Sequence, residues 1–216
     1  MQTVKKYSHV FWDWNGTLFD DVEWCVTVMN KMLTARGLRK FGGVEEYRRV
    51  FGFPVIDYYR RIGFDLDREP FGELAEEYVA LYHSERTGGS GLSRGALPAL
   101  EALRERRIRQ IVLSASEEGA LRAQIEGAGI IGYFDEILGI SDIYAGGKLG
   151  IGLEYIRKNN IGRALLIGDT EHDFEVAGAL GIDCLLVASG HQNIERLAAR
   201  GVPVIEDLTR LVEYIR

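Results

Sequence analysis

Short apolar runs alternate with helical apolar repeats along most of this chain. The runs that predict strands lie at residues 10–12, 111–113, 136–140, 164–167 and 184–187. Between the later runs, apolar residues recur at the spacing of helices that bury one face, as at Leu97, Leu100 and Leu103. Strands that are apolar throughout and alternate with helices indicate a parallel sheet with helices on both faces.

The segment between the first two predicted strands has only helical patterns. Apolar residues recur at helical spacing from Val22 to Leu33, and further helices are predicted at 44–50, 55–62 and around 74–82. The glycine-rich stretch 88–91 then forms the clearest linker. The sequence therefore predicts an α/β core with a Rossmann-like parallel sheet. We expect residues 1–17 and 88–216 to form this core, and residues 18–87 to form an inserted, all-helical cap without strands.

Composition narrows the possible partners of the protein. The 216 residues are 46% hydrophobic and carry a net charge of −6, which argues against a nucleic-acid or anionic-membrane surface. No apolar run reaches the ~20 residues that a membrane-spanning helix needs. The two cysteines, Cys25 and Cys184, have neither metal-type spacing nor a disulfide pattern, which favours a cytoplasmic protein. The sequence gives no indication of an oligomeric state.

Chemically useful side chains follow several of the predicted strands. Asp13 ends the first strand, Ser114 the second, and Asp169 the fourth, with Asp173 four residues later. Lys148 lies between the third and fourth strands. The carboxyl ends of parallel strands meet at one edge of a sheet, where ligands usually bind. Carboxylates gathered there repel one another unless a cation joins them, and oxygen ligands of this kind suit Mg²⁺.

Each of these residues also has an ordinary structural interpretation. Asp13 precedes Trp14, Asn15 and Gly16, and acidic or amide residues before glycine are common in turns. Ser114 is of a type that often caps a helix, although Ser116 is placed to do so instead. A lone lysine such as Lys148 is usually solvated, and Asp173 is placed to cap the helix that begins near it.

Taken in order, these segments resemble the four motifs of the haloacid dehalogenase superfamily. The motifs are Asp13 to Thr17, then Ser114, then Lys148, then Gly168 to Asp173. The similarity is closest to the phosphoglycolate phosphatase branch, whose members carry a helical cap after the first motif. The resemblance covers essentially the whole chain and implies a phosphatase acting on a small phosphorylated metabolite.

The resemblance also implies a role for each motif. Asp13 would attack phosphorus and form an aspartyl-phosphate. Mg²⁺ would be held by Asp13, Asp169 and the main-chain carbonyl of Asn15, and would offset the repulsion between two anions. Asp173 would support the metal through water or orient Lys148.

Phosphate binding is the second role that the resemblance assigns. Ser114 and Lys148 would hold the phosphoryl oxygens, where charge needs to be stabilised in the transition state. Gly16 permits a close backbone approach, and main-chain amides in that turn are able to donate to phosphate. The implied phosphate-binding set is Gly16, Thr17, Ser114, Ala115 and Lys148.

Asn15 is the one departure from the family pattern. Phosphatases of this family usually have a second aspartate there, which protonates the leaving oxygen and later activates water. An amide cannot exchange a proton at neutral pH. Two hypotheses follow: a Mg²⁺-dependent phosphomonoesterase that is slow or uses another proton carrier, or a phosphate-binding or regulatory protein with little turnover.

Overall fold

A computed structural model gives the fold and describes residues 7–84, 91–140 and 148–215. The strands are β1 (His9–Trp12), β2 (Phe19–Asp20), β3 (Gly91–Leu92), β4 (Arg109–Glu117), β5 (Glu136–Ile140), β6 (Ala164–Gly168), β7 (Asp183–Val187) and β8 (Val204–Ile205). The helices are α1 (Val22–Ala35), α2 (Val44–Val50), α3 (Val55–Arg61), α4 (Phe71–Ser84), α5 (Ala96–Glu105), α6 (Glu118–Gly127), α7 (Leu149–Lys158), α8 (Glu171–Leu180), α9 (Ile194–Ala198) and α10 (Leu211–Tyr214). Short 3-10 helices lie at Ile131–Tyr133 and Leu208–Arg210.

A parallel sheet with the strand order β5-β4-β1-β6-β7-β8 forms the centre of the molecule. In this sheet β1 is flanked by β4 and β6, so that Trp12 pairs with Val112 on one side and Ile167 on the other. The chain adds β4 and β5 on one side of β1, and then crosses to add β6, β7 and β8 on the other. This reversal creates a crevice at the carboxyl ends of β1 and β6. The predicted fold class is confirmed.

Helices cover both faces of the sheet. Neighbouring residues of a strand point to opposite faces, so each strand packs against helices on both sides. Val10 and Trp12 pack in one apolar cluster with residues of α5 and α6, among them Leu100 and Leu121. Phe11 packs in a second cluster with residues of α7 and α8. The strands are therefore buried on both sides, which explains why they are apolar throughout.

Helices α1 to α4 form a third apolar cluster of their own. Its fully buried members include Met32, Leu33, Tyr58 and Leu74. Because these side chains pack mainly with one another, the four helices have an apolar core of their own. The helical character predicted for this part of the chain agrees with the structure, while its division from the core as a separate cap domain stays a prediction.

The prediction that residues 18–87 contain no strand is wrong at its beginning. Strand β2 pairs antiparallel with β3, with Phe19 opposite Leu92 and Asp20 opposite Gly91. Each strand has only two residues, so neither has an apolar pattern of its own, and each forms because the other is present. Gly91, predicted as part of a linker, lies in β3, and linker residues 88–90 lie outside the described part of the chain.

Two further expectations concern the cysteines and the membrane. Cys25 in α1 and Cys184 in β7 are both buried free thiols, as the absence of a disulfide pattern indicated. None of the helices in the described ranges combines the length and the apolar character needed to cross a bilayer. A cytoplasmic location stays a prediction from the sequence.

Candidate active site

Two carboxylates lie side by side at the crevice of the sheet. Asp13 follows β1 and Asp169 follows β6, and the two strands are neighbours whose last pairs include Trp12 and Ile167. The Thr17 hydroxyl lies between these carboxylates, 3.3 Å from Asp13 Oδ2 and 3.1 Å from Asp169 Oδ1. Strand pairing thus brings together two acidic residues that are 156 positions apart in the chain.

Lys148 joins Asp13 to a third carboxylate, Asp173. Its Nζ donates to Asp13 Oδ1 at 2.6 Å and also to Asp173 Oδ1, and the lysine side chain is only 3% exposed. Burial lowers the pKa of Lys148, but Asp13 and Asp173 outweigh burial and hold it above its usual value. Asp173 Oδ2 accepts from the Thr170 amide and hydroxyl at the start of α8. Asp173 therefore both caps the helix and orients the lysine.

The carboxylates at this edge of the sheet carry more negative charge than Lys148 neutralises. Oxygens of Asp13, Asp169 and Asp173 all lie within 4.8 Å of one another, and Lys148 is the one cation that bridges two of them among the described residues. Burial raises the pKa of Asp13, with repulsion from the other two carboxylates adding to it and Lys148 opposing it. Burial likewise raises the pKa of Asp169. The donor set is made of hard oxygen atoms that carry excess negative charge, and it fits Mg²⁺.

Ser114 lies inside β4, which corrects the expectation that it ends a strand. Pairing of β4 with β5 becomes irregular just before Glu117, so Ser114, Ala115 and Ser116 lie in a distorted stretch of strand that redirects their side chains. The Ser114 Oγ is buried and accepts from the Ser116 amide at 3.1 Å. Ser116 Oγ donates to Asn15 Oδ1 at 2.9 Å, and Glu117, rather than either serine, caps α6.

Gly16 makes the turn after Asp13 possible. Its φ is +76°, and a Cβ placed there would lie 2.3 Å from Asp169 Oδ2, so only glycine fits. The Gly16 amide donates to Phe19 O at 2.8 Å and to Asp21 Oδ1 at 3.1 Å. Within this structure that amide is engaged in the turn, and phosphate binding by Gly16 and Thr17 stays a prediction.

The sequence analysis missed two residues of this site, Asp21 and His191. His191 Nε2 lies 3.3 Å from Asp21 Oδ1, its Nδ1 lies 3.0 Å from the Tyr47 hydroxyl, and its amide donates to Asp169 Oδ2 at 2.5 Å. Burial lowers the pKa of His191, but the hydrogen bond and charge of Asp21 outweigh burial and raise it to about 9. His191 lies in the loop four residues beyond the end of β7, and no local spacing in the sequence marks it as part of the site.

The helical segment rests directly on the loop that carries His191. Arg48 of α2 donates to Gly190 O at 2.7 Å and to Ser189 O at 2.6 Å. Phe53 stacks on His172 of α8, with ring centroids 4.5 Å apart. These contacts place Phe53 of the helical segment against the residue that precedes Asp173.

Gly190→Ala is expected to weaken, by about tenfold or more, the activity that the predicted Mg²⁺ site would support. A Cβ at position 190 would lie 2.1 Å from Asp169 Oδ2, so the Asp169 carboxylate has to leave its present position. Gly178→Ala, in α8 with open space around its Cβ, is the matched control and should keep activity while stabilising the protein by about 0.4–1 kcal/mol. Turnover measured against Mg²⁺ concentration tests this, and an unchanged Mg²⁺ dependence of Gly190→Ala would show that Asp169 is not a ligand.

Proteins of known sequence or structure resemble this chain over most of its length. A phosphoglycolate phosphatase from Rhodospirillum rubrum is 24% identical over 217 residues, which cover 95% of this chain and 90% of that protein. Tyrosine-protein kinase PtkA from Mycobacterium tuberculosis is 28% identical over 190 residues, covering 84% of this chain and 62% of that protein. A solved haloacid dehalogenase-like hydrolase from Streptococcus pneumoniae matches with a TM-score of 0.83 at 18% identity, covering 97% of this chain and 99% of that one.

The family match spans the strands that build the site. The profile of the haloacid dehalogenase-like hydrolases matches residues 10–187, from β1 to the end of β7, and includes Asp13, Lys148 and Asp169. The resemblance drawn from the four motifs is thereby confirmed. The chain belongs to the haloacid dehalogenase-like hydrolase family.

Proposed function

We propose that this phosphatase is Mg²⁺-dependent and hydrolyses a small phosphorylated metabolite through an aspartyl-phosphate on Asp13. One observation carries the proposal. At the sheet crevice, the buried Lys148 Nζ lies 2.6 Å from Asp13 Oδ1, and the carboxylate of Asp169 lies close enough to Asp13 to share a metal ion with it. An anionic phosphate needs positive charge around it, and an anionic nucleophile needs a fixed position.

The reaction would proceed in two displacements at phosphorus. A carboxylate oxygen of Asp13 attacks phosphorus while the bond to the ester oxygen breaks, so the phosphoryl group is transferred to Asp13 and the ester oxygen leaves as an alkoxide that takes a proton from solvent. Water then attacks the same phosphorus and gives up a proton to solvent, the bond to Asp13 breaks, and inorganic phosphate is released. Lys148, fixed by Asp173, stabilises the charge on the phosphoryl oxygens in both steps.

Asp13, Asp169 and the main-chain carbonyl of Asn15 would hold Mg²⁺. The ion would supply positive charge that offsets repulsion between the Asp13 carboxylate and the phosphate. Burial, together with repulsion from Asp173 and Asp169, raises the pKa of Asp13 and disfavours its ionised form, and a cation held here would offset both effects. Asp173, whose oxygens face Lys148 and Thr170, contributes by orienting the lysine.

A panel of phosphate esters, assayed with Mg²⁺ and with a chelator, tests this function. Asn15 cannot deliver a proton to the leaving oxygen, so nitrophenyl phosphate should react faster than alkyl phosphates. Phosphoglycolate belongs in the panel because curated relatives carry that activity in their names. Turnover that the chelator removes and Mg²⁺ restores supports the proposal. Phosphate binding without turnover of any ester would instead favour the regulatory or phosphate-binding alternative.

A further inference from the structure

A single buried carboxylate, Asp21, connects the catalytic turn to the helical segment. Asp21 precedes α1 and is 2% exposed. Its Oδ2 accepts from Asn15 Nδ2 and from the Tyr82 hydroxyl of α4, both at 2.7 Å. Its Oδ1 accepts from the Gly16 amide at 3.1 Å and lies 3.3 Å from His191 Nε2. The donors come from the turn after β1, from a helix of the cap segment and from the loop after β7.

These contacts determine how the Asn15 side chain is oriented. An ionised carboxylate only accepts hydrogen bonds, so the amide nitrogen of Asn15 has to face Asp21. The amide oxygen then faces away and accepts from Ser116 Oγ at 2.9 Å. The second proton of the amide nitrogen is directed toward the Tyr82 hydroxyl, 3.2 Å away. Both ends of the Asn15 side chain are therefore engaged, and an ionised carboxylate at this position would have no donor to offer Asp21.

We propose that Asp21 is a positioning residue for the catalytic turn and that its carboxylate is the reason why position 15 carries an amide. The inference rests on the proposed function in that it takes the turn after Asp13 to be catalytic. The negative charge that the family resemblance implies for position 15 lies at position 21 in this chain. There it holds Asn15, Gly16 and His191 in place.

Because Asn15 lacks an exchangeable proton, the simplest expectation is that Asn15→Asp raises turnover by supplying one, and the proposal predicts the opposite. A carboxylate at position 15 alone would place two acidic oxygens about 2.7 Å apart in a buried site, where like charges repel strongly. Restoring the acid at position 15 should therefore help only if the acid at position 21 is removed. The two positions should behave as one unit that tolerates a single negative charge.

A double-mutant cycle with Asn15→Asp, Asp21→Asn and the combined variant tests the coupling. We expect Asn15→Asp alone to lower the melting temperature and to lower kcat at least tenfold, and Asp21→Asn alone to lower kcat. The combined variant should regain the melting temperature of the wild type. It should exceed the kcat of Asn15→Asp at least tenfold, most clearly on an alkyl phosphate, which needs general acid catalysis. Asn160→Asp, at an exposed position, is the control for the amide-to-acid change and should match the wild type.

The cycle separates this inference from the proposed function. If the wild type turns over no ester, the proposed function fails, while melting temperatures still report whether positions 15 and 21 are coupled. If Asn15→Asp does not fold and the combined variant does, the coupling between positions 15 and 21 is supported. If neither variant folds, the inference is wrong. It is also wrong if the effects of the two changes on melting temperature and kcat simply add. An Asn15→Asp protein that is as stable and as active as the wild type would also overturn it.

Discussion

Asp13→Asn is expected to abolish turnover, with a loss on the order of 10⁴-fold or more. The amide keeps the shape of the side chain but cannot attack phosphorus, so no phosphoryl group is transferred to the protein. Asp67→Asn, at an exposed position in the helical segment, is the matched control and should leave turnover unchanged. Steady-state rates on nitrophenyl phosphate and acid-quenched mass spectra of the two variants provide the measurement.

The same variant separates loss of chemistry from loss of folding. Burial raises the pKa of Asp13, which means that the folded protein disfavours its charged form. Lys148 keeps its ion pair with Asp173 in this variant, so a neutral amide at position 13 should keep the melting temperature, measured without metal, close to that of the wild type. Turnover near the wild-type level in a mass-verified Asp13→Asn protein would show that Asp13 is not the nucleophile.

Lys148→Met is the second change with a large expected effect, and it should affect both activity and stability. The substitution leaves Asp13 and Asp173 buried without the cation that joins them, which costs about 3–5 kcal/mol in comparable buried pairs. In the proposed mechanism Lys148 would face the phosphoryl group, so loss of its charge should lower kcat by about 10²–10³-fold. Thermal unfolding and steady-state kinetics measure the two effects.

Lys158→Met supplies the comparison for Lys148→Met. Lys158 lies at the other end of α7, is 64% exposed and pairs with Glu154, so its loss should change stability by less than about 1 kcal/mol. Added Mg²⁺ should raise the melting temperature of Lys148→Met more than that of the wild type, because the ion supplies a missing positive charge. Equal melting temperatures for the two lysine variants would contradict the role given to Lys148.

The parts of the site that could be predicted are those fixed by strand ends. Asp13 and Asp169 each follow a run of apolar residues, and a parallel sheet brings such positions to one edge whatever lies between them. The strand order could not be predicted from the sequence. A crossover places β6 beside β1, and no local sequence pattern indicates that crossover. Ser114 was misplaced by a few residues because an irregularity in strand pairing has no apolar signature.

Asp21 and His191 were missed for a different physical reason. Their importance depends on a contact between a helix start and a loop that are 170 residues apart in the chain. Neither residue has a spacing that identifies it, and each alone is an ordinary residue of a turn or loop. The acidic pair Asp20 and Asp21 was visible directly after the catalytic turn, but only the buried hydrogen bonds of Asp21 distinguish the second acid from the first.

The hydrogen bonds around Asn15 also affect how fast this residue deamidates. Asparagine followed by glycine deamidates when the glycine amide nitrogen attacks the asparagine side-chain carbonyl. Here that nitrogen donates to Phe19 O and Asp21, and the side-chain carbonyl is held by Ser116, so the ring that starts the reaction cannot close. We expect position 15 to keep its amide during long storage of the folded protein and to lose it quickly in denaturant, as peptide mass spectrometry would show. The hydrogen bonds that shape the catalytic turn would then also set the chemical lifetime of the enzyme.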